Sequence, residues 1–145
     1  MHDLPVAFQV VSSWDSADII ALYQSAGWWR DWYDPAGIVP LIQGSFVFVV
    51  AVQQETGKAV AMGRILSDRV ATGYIQDLCV LTELRGRHIG VGLLNFLIAE
   101  AKRRGISSLY LVAEPDTRDF YEKSGFICNS GMIFLTNTLE ESYET

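Results

Sequence analysis

The stretch that decides the fold runs from Tyr74 to Arg104 and reads YIQDLCVLTELRGRHIGVGLLNFLIAEAKRR. Residues 74–81 have the alternation of a strand, and from about Gly90 the leucines recur at helical spacing. Between them lies a basic turn with glycines. A strand that delivers the chain onto the unpaired amides of a helix start forms a site for phosphate groups. We therefore predict a phosphate-binding turn between this strand and this helix.

The strand before the turn carries a carboxylate at its centre. Strand alternation would put Ile75, Asp77 and Cys79 on one face of the sheet. A charged side chain midway along an otherwise apolar strand is costly to bury without a partner. Asp77 is therefore either a functional acid or a buried acid held by backbone or arginine contacts, and the sequence leaves both interpretations open.

The composition is that of one globular domain with a well-filled core. The chain has 145 residues, of which 50% are hydrophobic and 12% aromatic. A chain of this length buries about 70% of the surface that its unfolded form exposes. We predict a single domain over residues 1–145.

No segment of the sequence has the character of a membrane span or a secretory signal. The longest uninterrupted apolar run, Phe46 to Val52, is too short to cross a bilayer, and the first residues lack a basic block followed by an apolar one. We predict a cytoplasmic protein with no membrane partner.

The net charge argues against a nucleic-acid-binding protein, and the cysteine spacing argues against a metal-binding or disulfide-framework protein. A formal net charge of −6 disfavours a nucleic-acid partner, because phosphate backbones attract basic surfaces. Cys79 and Cys128 have neither the spacing of metal ligands nor that of a disulfide framework. We predict a reducing compartment and no metal site.

The remaining elements complete an α+β domain. We predict a first strand, a helix capped by Asp15 or Ser16, a short helix at residues 37–43, a hairpin, and the central strand and long helix described above. A further strand, a short helix capped by Asp116 and ended by Gly125, and a last strand follow. The strands outside the central stretch are predicted at residues 6–11, 46–54, 59–67, 109–113 and 132–139.

An aromatic and acidic segment precedes the hairpin. It reads WWRDWYDP over residues 28–35 and is too irregular for one amphipathic element. One interpretation is core packing followed by a turn. The other is a wall for an amine, in which Trp28, Trp29 and Trp32 would offer cation–π contacts and Asp31 a carboxylate.

Two motifs in order resemble the GCN5-related N-acetyltransferase (GNAT) family, which moves an acetyl group from acetyl-CoA to an amine. The family pattern Arg/Gln-x-x-Gly-x-Gly/Ala falls on Arg85 to Gly90, and a second family segment falls on FYEKSGF at residues 120–126. The resemblance is specific from Tyr74 to Phe126. The N-terminal third matches only in its order of helix, irregular segment and hairpin.

The resemblance implies a fold and a cofactor site. The fold is a mixed, mostly antiparallel sheet of six to seven strands flanked by about four helices, with the fourth and fifth strands splayed apart. Backbone groups of the splayed strand would bond the pantetheine arm and the acetyl carbonyl, and the turn would hold the diphosphate of acetyl-CoA. The residues assigned by the resemblance are Leu78, Cys79 and Val80 on the strand, and Arg85, Gly86, Arg87, His88, Ile89, Gly90 and Val91 in the turn.

The turn departs from the family pattern at one position. His88 stands where the family most often has its first motif glycine. A register that starts at Arg87 and uses Gly90 and Gly92 would restore both glycines, whereas the register that starts at Arg85 keeps the strand and the helix leucines in the family spacing. We favour the Arg85 register, with His88 facing solvent or the phosphates rather than acting as a base.

The resemblance also implies the catalytic residues. Tyr121 matches the tyrosine that lies near the CoA sulfur and serves as general acid. For the base that makes the amine neutral, Asp77 is the first candidate, and Glu114 and Asp116 are weaker ones. The family often has an asparagine in the loop at residues 113–117, and this sequence has none there.

We predict acetylation of a small primary amine by direct attack within a ternary complex. Two other functions stay open at this point: acetylation of a protein or peptide, and a non-catalytic module that binds CoA and regulates a partner. A homodimer is also left open.

Overall fold

The structure, a computed structural model, describes residues 5–139. The chain forms two compact units that divide between Ala113 and Glu114. The prediction of one domain over the whole chain stays a prediction.

The first unit contains the sheet and three of the α-helices. Its elements, in chain order, are β1 (Val6–Val10), α1 (Ser16–Ser25), α2 (Ile38–Gly44), β2 (Val47–Gln53), β3 (Ala59–Ser67), β4 (Thr72–Val80), α3 (Ile89–Arg103) and β5 (Ser108–Tyr110). Short 3-10 turns at Pro35–Gly37 and Thr82–Leu84 lead into α2 and toward α3.

The sheet is mixed and mostly antiparallel, as predicted. Its strands lie in the order β1-β2-β3-β4-β5, with antiparallel pairing throughout except for the parallel pair of β4 and β5. The described chain has five strands rather than six to seven, and the strand predicted at residues 132–139 is absent from it. The run MIFL at 132–135 is apolar, but all four side chains are exposed and these residues form no strand.

The two faces of the sheet are covered by different helices. On one face, α1 and α2 contribute Ile19, Leu22, Ile38 and Ile42 to a buried cluster with Phe48 and Met62. On the other face, a Cβ added to Gly63 would meet Leu97 of α3 at 2.8 Å. Met62 and Gly63 are neighbours in β3 and therefore point to opposite faces.

The predicted cap of α1 is confirmed, whereas that of the short second-unit helix is wrong. The Asp15 carboxylate accepts a hydrogen bond from the Ala17 amide at 2.9 Å. In the second unit, α4 (Arg118–Glu122) begins after Thr117, and Asp116 has a φ of +67°. An N-cap residue normally has extended backbone angles, and Asp116 occupies a left-handed turn instead. Gly125, with a φ of +98°, follows the end of α4 as predicted.

The strands β4 and β5 stay together over only a short distance. Their parallel pairing joins Thr72 to Ser108, Gly73 to Leu109 and Tyr74 to Tyr110. β4 continues to Val80, whereas β5 ends at Tyr110. The stretch of β4 from Ile75 to Val80 therefore runs beyond its pairing with β5, at the place where splayed strands were expected.

Within residues 5–139, none of the helices combines the length and the hydrophobicity needed to cross a lipid bilayer.

Candidate active site

A bulge interrupts β4 at its centre. The pairing with β3 matches Met62 to Cys79 and Arg64 to Gln76, so that Gly63 alone opposes two residues, Asp77 and Leu78. Asp77 has a φ of +61°. An extra residue of this kind bends a strand and exposes backbone groups that a regular ladder would pair.

The bulge corrects the predicted alternation along β4. The prediction that Ile75, Asp77 and Cys79 share a face is wrong for the pair Ile75 and Cys79. Cys79 belongs to the cluster under α1 and α2, whereas Ile75 pairs with Ile65, whose side chain lies on the α3 face beside Gly73. One inserted residue reverses the facing of every residue beyond it, because the side-chain period of a strand is two.

Glycine at position 63 makes room for the bulge. A Cβ there would lie 2.8 Å from Leu97 Cδ1 and 2.9 Å from Leu78 Cδ1. Leu78, one of the residues assigned to the cofactor edge, therefore packs its side chain toward α3. At the edge of β4, the backbone groups of Leu78, rather than its side chain, are available to a cofactor.

Asp77 is held by two side chains from neighbouring elements. Arg64 Nε on β3 donates to Asp77 Oδ2 at 2.8 Å, and the Tyr23 hydroxyl on α1 donates to the same oxygen at 2.7 Å. The side chains of Arg64 and Asp77 are 14% and 19% exposed. Burial, and after it the charge of Asp77, raises the pKa of the Tyr23 hydroxyl, so Tyr23 acts as a neutral donor at physiological pH.

Sequence reasoning missed Arg64 and Tyr23 as members of this group. The available signal was a charge in each of two adjacent strands, since Arg64 is the one charged residue in AVAMGRILS as Asp77 is in its own strand. Two buried charges of opposite sign in paired strands imply an ion pair. Tyr23 carried no such signal, because its helical spacing only predicted burial.

Cys79 is a buried thiol. Its Sγ lies 3.8 Å from the carbonyl oxygen of Leu22 on α1, and burial raises its pKa to about 12. A thiol with this pKa is almost entirely protonated near neutral pH and is a poor nucleophile. The side chain of Cys79 is buried under α1, so only its backbone groups could bond a cofactor at the edge of β4.

The two cysteines should react at very different rates. Cys79 is buried and Cys128 exposed, so a disulfide reagent at about pH 8 is expected to modify Cys128 quickly and Cys79 only as the chain unfolds. Spectrophotometric thiol titration with and without denaturant measures both rates. A Cys128→Ser variant should lose the fast phase; two fast thiols in the folded protein would contradict the burial of Cys79.

The basic turn leads from β4 into α3. Arg85, Gly86 and His88 are exposed, Arg87 is partly exposed and Ile89 is buried at the helix start. Gly86 has a φ of +79°. By helix geometry, the first amides of α3, those of Ile89, Gly90 and Val91, have no partner within the helix. The turn therefore presents unpaired amides together with two guanidinium groups.

The start of the turn is tied to α1. The Thr82 amide donates to Ser25 Oγ at 3.0 Å, and the two hydroxyl groups lie 2.9 Å apart. Arg85 Nε reaches back to the carbonyl oxygen of Val80 at 3.4 Å. These contacts keep the turn close to the end of β4 and to the C-terminus of α1.

His88 is the N-cap residue of α3 and has a left-handed backbone. Its φ is +63° and its ψ is 12°, and its side chain makes no capping hydrogen bond. This conformation explains why glycine suits the position, since a side chain strains the backbone there by about 1–2 kcal/mol. His88 is exposed; the direction of its side chain, toward solvent or toward the phosphates, stays a prediction.

Replacing His88 by glycine should stabilise the protein relative to replacing it by alanine. Both changes remove the imidazole, but only glycine adopts positive φ without strain. We therefore expect the free energy of unfolding of the His88→Gly variant to be about 1 kcal/mol higher than that of the His88→Ala variant. Urea unfolding of the two variants measures the difference. Equal stabilities would mean that the left-handed turn is not populated in solution.

Gly92 has a packing role. A Cβ at this position would lie 2.8 Å from Phe8 Cζ on β1. Gly92 is therefore directed toward the sheet, where its lack of a side chain allows α3 to approach β1.

The aromatic segment joins Asp77 through Tyr23. The rings of Tyr23 and Trp29 lie 6.3 Å apart, and Trp29 contacts Tyr33 edge-on at 5.4 Å. Trp28 and Trp29 pack partly against the cluster under α1. Trp32, 40% exposed, lies 6.1 Å from Tyr33, and Asp31 is exposed. The segment thus has an inner part that packs and an outer part that faces solvent.

Tyr121 lies on α4 in the second unit. Its ring packs edge-on against Phe120 at 5.0 Å and Phe126 at 6.0 Å. Burial, and after it the charge of Glu114, raises its pKa. The hydroxyl therefore stays protonated and able to donate at physiological pH.

Among residues 5–139, the structure contains no group of three or more histidine, cysteine and acidic side chains arranged to hold a metal ion.

Comparison with known sequences places the chain in a family. Residues 9–126 match the Acetyltransferase (GNAT) family. The uncharacterized N-acetyltransferase ycf52 of Pyropia yezoensis is 30% identical over 88 residues, which cover 59% of this chain and 51% of the relative. Glucosamine 6-phosphate N-acetyltransferase 1 of Oryza sativa subsp. japonica is 29% identical over 85 residues, which cover 54% and 52%. The chain spans about half the length of these two curated relatives.

Comparison with solved structures confirms the fold class. The crystal structure of a predicted acetyltransferase with acetyl-CoA from Clostridium acetobutylicum superposes with a TM-score of 0.68 at 22% identity, covering 91% of this chain and 96% of that one. At this identity the likeness concerns the fold alone. Together with the match over residues 9–126, it supports one conclusion: the chain belongs to the GNAT acetyltransferase family.

Proposed function

We propose that this protein transfers the acetyl group of acetyl-CoA to a small primary amine by direct attack in a ternary complex. The observation that carries the proposal is β4 itself. Its bulged stretch continues past the end of its pairing with β5 and leads, through a basic turn, onto the free amides of α3. This combination supplies backbone donors for a thioester carbonyl and a cradle for a diphosphate.

The diphosphate of acetyl-CoA would bind at the turn from Arg85 to Val91. Gly86 and the first amides of α3 allow close approach of the phosphates, and Arg85 and Arg87 add charge-assisted hydrogen bonds. The close fit of Gly92 against Phe8 favours the register that begins at Arg85, because Gly92 then serves packing and is not needed by the phosphates. His88 would take the glycine position of the motif through its left-handed backbone.

The chemical step needs a base, a polarising site and a leaving-group donor. The amine nitrogen attacks the acetyl carbon, backbone groups of Leu78 to Val80 stabilise the oxyanion, and the carbon–sulfur bond breaks as the tetrahedral intermediate collapses. The amine proton passes to Asp77. The thiolate of CoA leaves, and the family resemblance assigns to Tyr121 the hydrogen bond that would stabilise it. No covalent acyl-enzyme is required, and the raised pKa of Cys79 argues against that thiol as a nucleophile.

The acceptor would bind along the aromatic segment. Trp29 contacts Tyr23, and Tyr23 donates to Asp77, so an amine lying against Trp28, Trp29 and Trp32 would have its nitrogen directed toward the proposed base. Asp31 adds a carboxylate that attracts a protonated amine before it binds. The curated relative that acts on glucosamine 6-phosphate, by its name, is consistent with a small acceptor.

An acceptor screen tests the proposal. Release of free CoA from acetyl-CoA is followed with polyamines, aminoglycosides, arylalkylamines, amino acids and peptides. We expect turnover on one class of small amine, and a rise of its KM in Asp31→Asn and Trp32→Ala. Preference for peptides would support the protein acetyltransferase alternative. Calorimetric binding of CoA without turnover on any amine would support the regulatory module.

The cytoplasmic location, the homodimer and the absence of nucleic-acid or membrane partners stay predictions from the sequence. Sedimentation of the purified protein with and without acetyl-CoA tests the homodimer.

A further inference from the structure

Three side chains from three elements meet on one oxygen atom at the bulge of β4. Arg64 Nε and the Tyr23 hydroxyl both donate to Asp77 Oδ2, at 2.8 Å and 2.7 Å. Within residues 5–139, both hydrogen bonds of this carboxylate fall on Oδ2. The second carboxylate oxygen, Oδ1, is therefore the one left to face a reacting group.

The guanidinium of Arg64 is itself fixed. Its Nη2 donates to Gln76 Oε1 at 3.0 Å, so one residue of β3 is bonded to two successive residues of β4. A planar guanidinium held through two of its nitrogens has little freedom to rotate. The direction of the Asp77 carboxylate is consequently set by a rigid partner.

Tyr23 has a second contact on its other side. Its ring packs against Trp29, 6.3 Å away, and the residue is 8% exposed. One buried side chain thus touches both the proposed base and the proposed acceptor wall.

We propose that Arg64 and Tyr23 are positioning residues for acetyl transfer: they hold the Asp77 carboxylate in one orientation on the bulge of β4, and Tyr23 couples that carboxylate to the acceptor wall through Trp29. The inference rests on the proposed N-acetyltransferase function. It assigns the hydroxyl of Tyr23 to the chemical step and its ring to acceptor binding.

The charge near Asp77 comes from Arg64. The groups that face the carboxylate are Arg64 from β3, Tyr23 from α1 and Cys79 from β4 itself. Tyr23 and Cys79 stay neutral in the working range because burial raises the pKa of each. Arg64 is therefore the charged donor to this carboxylate, and a charge-assisted hydrogen bond is stronger than one from a neutral hydroxyl.

Steady-state kinetics distinguishes the role of the Tyr23 hydroxyl, which orients Asp77, from that of its ring, which contacts the acceptor wall. Tyr23→Phe removes the hydroxyl and keeps the ring, so we expect kcat to fall about tenfold or more while the KM for the amine changes little. Tyr23→Leu removes the ring as well and should also raise that KM. Tyr74→Phe, the same hydroxyl deletion at the start of β4, is the matched control and should leave both constants unchanged.

The role of Arg64 appears in kcat and in its rescue. Without the guanidinium the Asp77 carboxylate loses the charged hydrogen-bond donor that fixes its direction, so kcat should fall about tenfold or more in Arg64→Gln while the KM for acetyl-CoA changes little. Arg64→Lys restores a charged donor and should recover part of the loss. Arg69→Gln, which removes an exposed guanidinium from the turn after β3, controls for net charge and should leave kcat unchanged.

The outcomes distinguish this inference from the function on which it rests. If the wild type releases no CoA with any amine, the proposed function fails and this inference with it. If the wild type is active but kcat is unchanged in both Arg64→Gln and Tyr23→Phe, only the positioning role is overturned. Should Arg64→Gln fail to fold, as judged by circular dichroism, Arg64→Lys and Tyr23→Phe decide the question.

Discussion

Asp77→Asn is expected to lower kcat/KM for the preferred amine by about 10²- to 10⁴-fold, the range for loss of a general base. Asparagine keeps the size of the side chain and still accepts the hydrogen bonds donated by Tyr23 and Arg64. It also tolerates the left-handed φ that the bulge requires. What it cannot do is accept the proton of the attacking amine.

The substitution therefore separates chemistry from structure. Steady-state kinetics over a range of amine concentrations gives the loss, and urea unfolding shows whether the bulge persists. Glu55→Gln, which removes a carboxylate from the exposed loop between β2 and β3, is the matched control and should keep full activity. If Asp77→Asn retains more than about a third of the wild-type kcat/KM while binding acetyl-CoA normally, Asp77 is not the base.

Tyr121→Phe should lower kcat at saturating acetyl-CoA by about 10- to 100-fold. A hydrogen bond to a charged group contributes about 1.5–3 kcal/mol, and about 1.4 kcal/mol corresponds to a factor of ten in rate. Phenylalanine keeps the edge-on packing with Phe120 and Phe126, so stability should change little. The lost interaction is the one that Tyr121 would make with the departing thiolate.

The raised pKa of Tyr121 defines how it acts. With reference pKa values of about 10 for tyrosine and about 8.5 for a thiol, full proton transfer to the thiolate is already uphill by about 2 kcal/mol. Burial raises the tyrosine pKa further, which favours hydrogen-bond stabilisation over transfer. Because this pKa is raised, the Tyr121 hydroxyl stays protonated and able to donate at every pH below it. Ionisation of Tyr121 should therefore cause no loss of kcat between about pH 6 and 9.

A hydroxyl deletion elsewhere provides the control for Tyr121→Phe. Tyr110→Phe removes an exposed phenol from β5 and should leave kcat unchanged. An unchanged kcat in Tyr121→Phe itself, at saturating acetyl-CoA, would show that the side chain serves only the packing of the second unit.

The sequence predicted the elements of the first unit well and their pairing in part. Helical spacing identified α1 and α3, and alternating or continuously apolar runs identified the strands β1 to β4, because the apolar side chains of each element must be buried. The last strand, at residues 132–139, was wrong: residues 132–135 are apolar but exposed, and apolar content alone does not make a strand. Asp116 failed as a helix cap because its backbone is left-handed, which no composition rule reports.

The sequence singled out individual residues of the candidate site but did not predict how they are arranged. The turn at Arg85 to Val91 and the carboxylate of Asp77 were evident from local patterns. Their partners were not, because Arg64 and Tyr23 approach Asp77 from elements distant in the chain. The bulge at Asp77 and Leu78 was equally hidden, since the space beside it depends on the absent side chain of Gly63, which lies near Leu78 and Leu97.

The sequence by itself determined the order of strand, basic turn and helix from Tyr74 to Arg104, the place of Tyr121 after it, and the family to which these motifs point. Only the tertiary structure decided that Asp77 sits on a bulge, that Arg64 and Tyr23 hold one of its oxygens, and that Trp29 reaches it through Tyr23. The physical reason is the separation along the chain of the residues that interact. Periodicity and turn chemistry act between residues a few positions apart, whereas the direction of a buried charge is set by whichever side chains the packed sheet and helices bring to it.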